Sequence, residues 1–167
     1  MEQLYKSIHQ FTVNDIEGNP VDLAQYKGKV LMIVNTASQC GFTPQLEDMD
    51  ELYDEFREEG FEILAFPSND FNGQEPLEGK AIQQFCQTKY EAAYPILEKV
   101  HVKGEAAHPI FQFLSKRSEN GKVSSVPRWN FHKYLIDKEG MVQQFFYTFT
   151  KPNATKVKKA IRKLLEA

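Results

Sequence analysis

Two thiols and three neutral side-chain donors are the groups in this chain best suited to chemistry. Cys40 lies in Asn35-Thr-Ala-Ser-Gln-Cys40-Gly-Phe-Thr-Pro44, a polar turn punctuated by Gly41 and Pro44. The apolar run Val30–Val34 precedes it, with the composition and length of a buried parallel strand. A helical pattern follows, carrying Leu46, Met49, Leu52, Tyr53 and Phe56 on one face and acids on the other. The spacing predicts a strand–turn–helix elbow with the thiol just ahead of a helix N-terminus, where free N–H groups and the macrodipole favour an anion. A thiolate is such an anion, and it is the nucleophilic form of cysteine. The competing reading is an inert buried cysteine, but the small and polar flanks of Cys40 favour the reactive one.

The donors are Gln74, Trp129 and Asn130. Gln74 lies in Phe66-Pro-Ser-Asn-Asp-Phe-Asn-Gly-Gln-Glu-Pro76, a polar segment leaving a second apolar run. Trp129-Asn130-Phe131 leads into a third extended stretch and includes the only Trp of the chain. An attack that develops negative charge is helped by preorganised donors such as an amide, an indole N–H or an Asn side chain. Taken singly, an exposed Gln is usually just polar and a lone Trp usually packs a core. Their combination with Cys40 carries the functional reading.

At 167 residues and 41% hydrophobic, residues 1–167 are read as one domain with one sizeable core. A net charge of −3 offers no electrostatic footprint for nucleic acid. No apolar run is long enough to span a membrane, and no stable membrane association is expected. Met1–Gln10 lacks the apolar stretch and small-residue cleavage site of a secretory leader, so the expected compartment is the cytoplasm. The mature form of a longer exported precursor would look the same. Cys40 and Cys86 form neither a C-x-x-C pair nor a zinc ligand set, and two thiols are too few for a secreted disulfide framework. In a reducing compartment such a pair is more often transient and catalytic. His9, His101, His108 and His132 are scattered and read as surface or packing residues, with no metal and no cofactor expected.

The elements that must position these groups follow in order. Gln10–Asn14 and Pro20–Leu23 flank a turn and predict a front β-hairpin. A strand at Val30–Asn35 and a helix from about Pro44 to Glu59 come next, with Gly60 as the stop. A second strand covers Phe61–Phe66, a polar loop Ser68–Gly79, and a helix Lys80–Thr88 with Ile82, Phe85 and Cys86 on its apolar side. Pro95–Leu97 and Val100–Val102 read as short extended pieces, Pro109–Ser115 as a turn or two of helix, and Ser115–Arg128 as loop. His132–Asp137 and Met141–Tyr147 predict a second hairpin, and a last helix begins near Asn153. Its lysines Lys156, Lys158, Lys159 and Lys163 read as a solvated face. This is an α/β pattern, the thioredoxin-like fold: a central mixed β-sheet flanked by helices, with an N-terminal β-hairpin. Fold alone leaves function open.

The blocks NTASQCGFT, FPSNDFNGQEP and WNFHKYLIDKEG, in this order and at these separations, closely resemble the three signature blocks of the glutathione peroxidase family. The resemblance covers nearly the whole chain. It implies that Cys40 is the peroxidatic residue, filled in some members by selenocysteine, and that Gln74, Trp129 and Asn130 complete a catalytic tetrad. It further implies that Cys86 is the resolving cysteine of the non-selenium branch, whose members form an intramolecular disulfide and are recycled by thioredoxin. A further cysteine common in that branch is replaced here by Ser68. The short Ser115–Arg128 stretch resembles branches lacking a tetramer-forming insertion, which implies a monomer with an open site for bulky hydroperoxides. Asn72-Gly73 and Asp70 depart from the usual loop pattern but leave the tetrad intact. The implied activity is reduction of hydrogen peroxide and organic hydroperoxides, with thioredoxin or glutathione as reductant. A peroxide sensor that relays oxidation to a partner protein is the alternative, and the missing C-x-x-C weakens a general disulfide oxidoreductase.

Overall fold

The computed structural model describes residues 6–167, so the leader reading of Met1–Gln10 falls partly outside the described residues. Strands β1 (Thr12–Asn14) and β2 (Pro20–Asp22) pair antiparallel as the expected front hairpin. The Asp15 carboxylate shapes its turn by accepting the N–H groups of Glu17 and Asn19, each at 2.9 Å. The hairpin is shorter than predicted, because Gln10 belongs to a 3₁₀ turn and Leu23 opens another.

Among the described residues, a four-stranded sheet has the order β4-β3-β5-β6. It comprises β3 (Val30–Thr36), β4 (Phe61–Pro67), β5 (Lys133–Ile136) and β6 (Val142–Phe146). β3 and β4 run parallel, and β5 is antiparallel to both β3 and β6. The mixed sheet predicted from the sequence is therefore present. Every residue of β3 and β4 is buried, as continuous apolar runs require when both sheet faces are covered. Alternation along β3 sends Val30, Met32 and Val34 to one face, where they pack with α1 (Gln45–Phe56), α2 (Lys80–Tyr90) and α5 (Thr155–Glu166). Leu31 and Ile33 point the other way, onto α3 (Pro109–Ser115).

Element boundaries depart from expectation where tertiary contacts override local propensity. α1 ends at Phe56 and tightens into a 3₁₀ turn over Arg57–Glu59, with Gly60 at φ +97° as the stop. α2 runs on to Tyr90 and ends on Glu91 in the left-handed region. Ser115–Arg128, predicted as loop, contains the one-turn helix α4 (Arg117–Asn120). The buried Asn120 side chain explains it: its amide donates to Phe113 O at 2.8 Å, and its Oδ1 accepts the N–H groups of Lys122 and Val123, each at 2.8 Å. Ile96 bridges Ala65 and Leu97 bridges Asp15, so Pro95–Leu97 runs along the outer edge of β4 and ties the front hairpin to the sheet. Val100–Val102 forms no strand; its N–H groups go instead to Pro67 O at 2.9 Å and Asp70 Oδ2 at 2.7 Å. Gly140 closes the β5–β6 turn at φ +86°, where an added Cβ would collide with Ser7 and His9. Among the described residues, no helix is long and apolar enough to cross a membrane.

The topology has one consequence for chemistry. Parallel β3 and β4 end on the same side of the sheet, with Thr36 opposite Pro67. Antiparallel β5 begins there, with Lys133 opposite Val34. All three polar blocks are thus delivered to the carboxyl end of the central strands, where α/β sheets bind ligands.

Candidate active site

Cys40 is half-buried and its thiol is free. Its turn is locked by the buried Thr43, whose Oγ1 accepts the Cys40 N–H at 2.9 Å and donates to Ala37 O at 2.9 Å. The Cys40 sulfur accepts the N–H of Phe42 at 3.4 Å, a reasonable length for a sulfur acceptor. This revises the sequence reading in one respect. α1 begins only at Gln45, after a Gly41–Pro44 turn, so the donor on sulfur belongs to that turn and not to the helix.

The Gln74 loop is stitched to the Cys40 turn by two bonds. Gln39 N–H donates to Gln74 O at 2.9 Å, and Ser38 Oγ donates to Glu75 Oε1 at 2.6 Å. Glu75 is almost fully buried, and that burial pushes its carboxyl up from the usual range. Asn69 Oδ1 accepts the Glu75 N–H at 3.0 Å and closes the loop on itself. Asn130 is completely buried and donates from Nδ2 to Gln74 Oε1 at 2.8 Å. Two of the three candidate donors therefore touch each other directly. Accepting through Oε1 leaves the Gln74 Nε2 hydrogens to other partners, and Asn130 Nδ2 keeps a second hydrogen.

Trp129 is half-buried, with its ring 5.5 Å from that of Phe71. With Phe42, Arg128, Tyr147, Thr148 and Phe149 it lines an open pocket of about 350 Å³. Phe149 is 83% exposed at its rim and meets Phe42 edge to face. Cys86 stands apart on α2, only 4% exposed. Burial, helped by the charge of Glu75, pushes its thiol up to about 12. Both thiols are free, and Cys40 packs against the same apolar cluster that contains Cys86.

Several contributors were not legible as site residues. The Phe42 N–H is a backbone donor and leaves no mark in side-chain pattern. Thr43, Ser38 and Glu75 act by joining loops distant in sequence. Asn35 sits near the end of β3, as the first polar residue after the apolar run Val30–Val34. Among the histidines, His101 Nδ1 meets Asp70 at 2.7 Å and His108 caps α3. Among the described residues, no group of three or more His, Cys, Asp or Glu is placed to hold a metal.

His132 is a packing residue with a measurable consequence. It is fully buried, stacked on Phe145 and bonded through Nε2 to Ser125 Oγ at 3.0 Å, while Nδ1 has no partner. Burial, with Lys133 and Arg128 nearby, lowers its pKa to about 4. The folded state keeps His132 neutral while the unfolded chain takes up a proton below about 6.5. Stability tied to this ring is thus complete above about pH 6.5 and is lost as pH falls toward 4, by on the order of 3 kcal/mol. Denaturant titrations of wild type and His132→Phe between pH 7 and 4.5 are expected to show a steeper loss in wild type. Parallel profiles would refute the assignment.

The chain is similar over most of its length to known proteins. The family model for glutathione peroxidase matches residues 8–115. The chain is 49% identical over 161 residues to a probable phospholipid hydroperoxide glutathione peroxidase of Solanum lycopersicum, covering 96% of this chain and 94% of that one. The chain belongs to the glutathione peroxidase family. It is accordingly a peroxide-reducing thiol peroxidase, an oxidoreductase, as the three sequence blocks implied. A crystal structure of Trgpx in apo form superposes with a TM-score of 0.78 at 33% identity, over 97% of each chain. A thiol:disulfide interchange protein of the thioredoxin family from Chlorobium tepidum superposes at 0.68 with 16% identity, over 99% of each chain, and shares the fold.

Proposed function

We propose that this glutathione peroxidase works by a two-cysteine cycle on hydrogen peroxide and organic hydroperoxides, with thioredoxin as the preferred reductant over glutathione. The Cys40 thiolate attacks one oxygen of ROOH; the O–O bond breaks, an S–O bond forms, and the leaving oxygen takes a proton to become ROH. The Phe42 N–H and the paired amides of Gln74 and Asn130, with the Trp129 indole, form the donor set for the charge that shifts during this step. Cys86 then condenses with the Cys40 sulfenic acid, giving a disulfide and water. A dithiol reductant attacks that disulfide and restores both thiols by exchange.

The observation carrying this reading is the contact of Asn130 with Gln74 beside the half-buried Cys40 turn, with a second free cysteine in the apolar cluster that Cys40 packs against. The aromatic pocket at Trp129 supports acceptance of substrates with an apolar organic group. The reading further takes residues 1–167 as one monomeric domain in a reducing compartment, the cytoplasm.

Steady-state rates with thioredoxin or glutathione, each paired with hydrogen peroxide or an organic hydroperoxide, test the donor and substrate choices. Thioredoxin-driven turnover is expected to exceed glutathione-driven turnover with both peroxides; the reverse order would overturn the two-cysteine cycle. Gln74→Ala and Asn130→Ala are each expected to slow oxidation of the reduced enzyme by on the order of 10²-fold. The effect of the pair is expected to be less than the product of the single effects, since the two amides act together. Single-turnover rates equal to wild type would leave both side chains with only a structural role.

A further inference from the structure

Three consecutive carbonyls at the turn carrying Trp129 and Asn130 are each held by a buried side chain, two from other segments and one, Lys133, from just beyond the turn itself. Asn35 Nδ2, at the end of β3, donates to Trp129 O at 3.0 Å. Thr148 Oγ1, beyond β6, donates to Asn130 O at 2.6 Å. Lys133 Nζ, at the start of β5, donates to Phe131 O at 2.6 Å. The turn needs such restraint, because Phe131 has φ +64°, a left-handed conformation that is an outlier for a bulky residue.

Lys133 is the unexpected member of the three. Asn and Thr are neutral and readily buried, whereas an ammonium loses its hydration and is seldom enclosed. Lys133 is nevertheless completely buried, on the face of β5 that carries Leu135 toward α1. Burial lowers its pKa to about 7, with the charge of Asp48 on α1 opposing that fall. A methionine would fill similar space without this cost. The aim of the Asn130 amide supplies the reason for keeping an amine. Its Nδ2 meets Gln74, but its Oδ1 has no partner, so one side-chain contact and the backbone at 130–131 set its direction.

We propose that Lys133 is a positioning residue for the peroxide step: its bond to Phe131 O fixes the left-handed turn that directs the Asn130 amide to Gln74. The inference rests on the reading that Asn130 serves oxidation of Cys40. Lys133 touches neither peroxide nor sulfur in this role; it acts through the backbone.

The test uses the full chain and single-turnover oxidation of the reduced protein by hydrogen peroxide, with Lys133→Met, Asn130→Ala and the double variant. Lys133→Met is expected to slow oxidation roughly 10- to 100-fold, a loss comparable to that of an aimed donor. Thermal unfolding is followed in parallel, and the variant is expected to remain folded, the lost bond to Phe131 O being offset by removal of the buried amine. The pre-formed disulfide should still be reduced by thioredoxin at the wild-type rate. The double variant should be no slower than Asn130→Ala alone, because both changes remove one function. Lys133→Gln, polar but one atom too short to keep the bond, is expected to be slow as well and decides the matter should the methionine protein not fold. Wild-type oxidation rates in either folded Lys133 variant, with Asn130→Ala slow, overturn the proposal alone. So does a double variant whose loss is the full product of the two single losses. A wild-type rate in Asn130→Ala removes the underlying reading of the site, and this proposal with it.

Discussion

Cys40→Ser is expected to abolish peroxide consumption while leaving the fold intact. The exchange swaps sulfur for oxygen at a half-buried position whose backbone is held by Thr43 and not by the thiol itself. The Phe42 N–H would still find an acceptor in the serine oxygen, so the turn keeps its bonds. Chemistry is a different matter. A serine hydroxyl is a far weaker acid than a thiol and a poor nucleophile without an adjacent general base. The hydrogen-bond partners of Cys40 are the Thr43 hydroxyl and the N–H groups of Phe42 and Thr43. Glu75, the buried acid of the neighbouring loop, is engaged by Ser38, and among the described residues no His, Asp or Glu hydrogen-bonds the Cys40 sulfur to serve as base for a hydroxyl. Peroxide consumption should fall to the uncatalysed level, with circular dichroism and thermal unfolding close to wild type. Residual turnover above that level would show that Cys40 is not the nucleophile.

Cys40 and its elbow were legible because a buried strand, a polar turn and an amphipathic helix each leave a strong local pattern. The donors were legible only in combination. Gln74 and Asn130 are far apart in sequence, and their contact depends on β5 running antiparallel beside β3, which places Lys133 opposite Val34. The sheet type followed from the order of the elements, β–α–β and then a hairpin and a closing helix, whereas the hold on the turn did not. Asn35 and Thr148 reach the turn from other segments and Lys133 bonds back to it from two residues on, and side chain-to-backbone bonds of this kind carry no periodicity. The α4 turn was missed for the same reason, since the Asn120 side chain closes it by bonding to carbonyls on both sides. The Ser38–Glu75 bond shows what an isolated chain cannot reveal: whether an acid in a polar loop ends in water or, as here, inside. Lys133 makes the point most sharply. A lysine in the block WNFHKYLIDKEG carries no sign of burial, yet it is among the largest side chains fully enclosed by the fold.

Cys86→Ser is expected to leave the first oxidation of Cys40 fast and to block thioredoxin-driven turnover. Cys86 is almost fully buried on α2, within the apolar cluster that includes Ile82 and Tyr94. With its thiol pushed up to about 12, it is no nucleophile in that packed position. A disulfide requires the two Cα atoms within about 7 Å, with the side chains facing each other. The expected resolving step is one in which α2 loosens, hydrating the buried Cys86 and bringing it to the Cys40 sulfenic acid. At its C-terminal end α2 stops on Glu91, a non-glycine residue at φ +53° whose strain opening would relieve. Hydrogen exchange should find α2 opening well before the β3–β4 core. In wild type, one equivalent of peroxide should yield a Cys40–Cys86 bond detectable by mass spectrometry. The serine variant should instead accumulate sulfenic and then over-oxidised Cys40. Undiminished thioredoxin-dependent cycling in Cys86→Ser would exclude the two-cysteine cycle and leave a one-cysteine peroxidase in which the external thiol attacks the sulfenic acid directly.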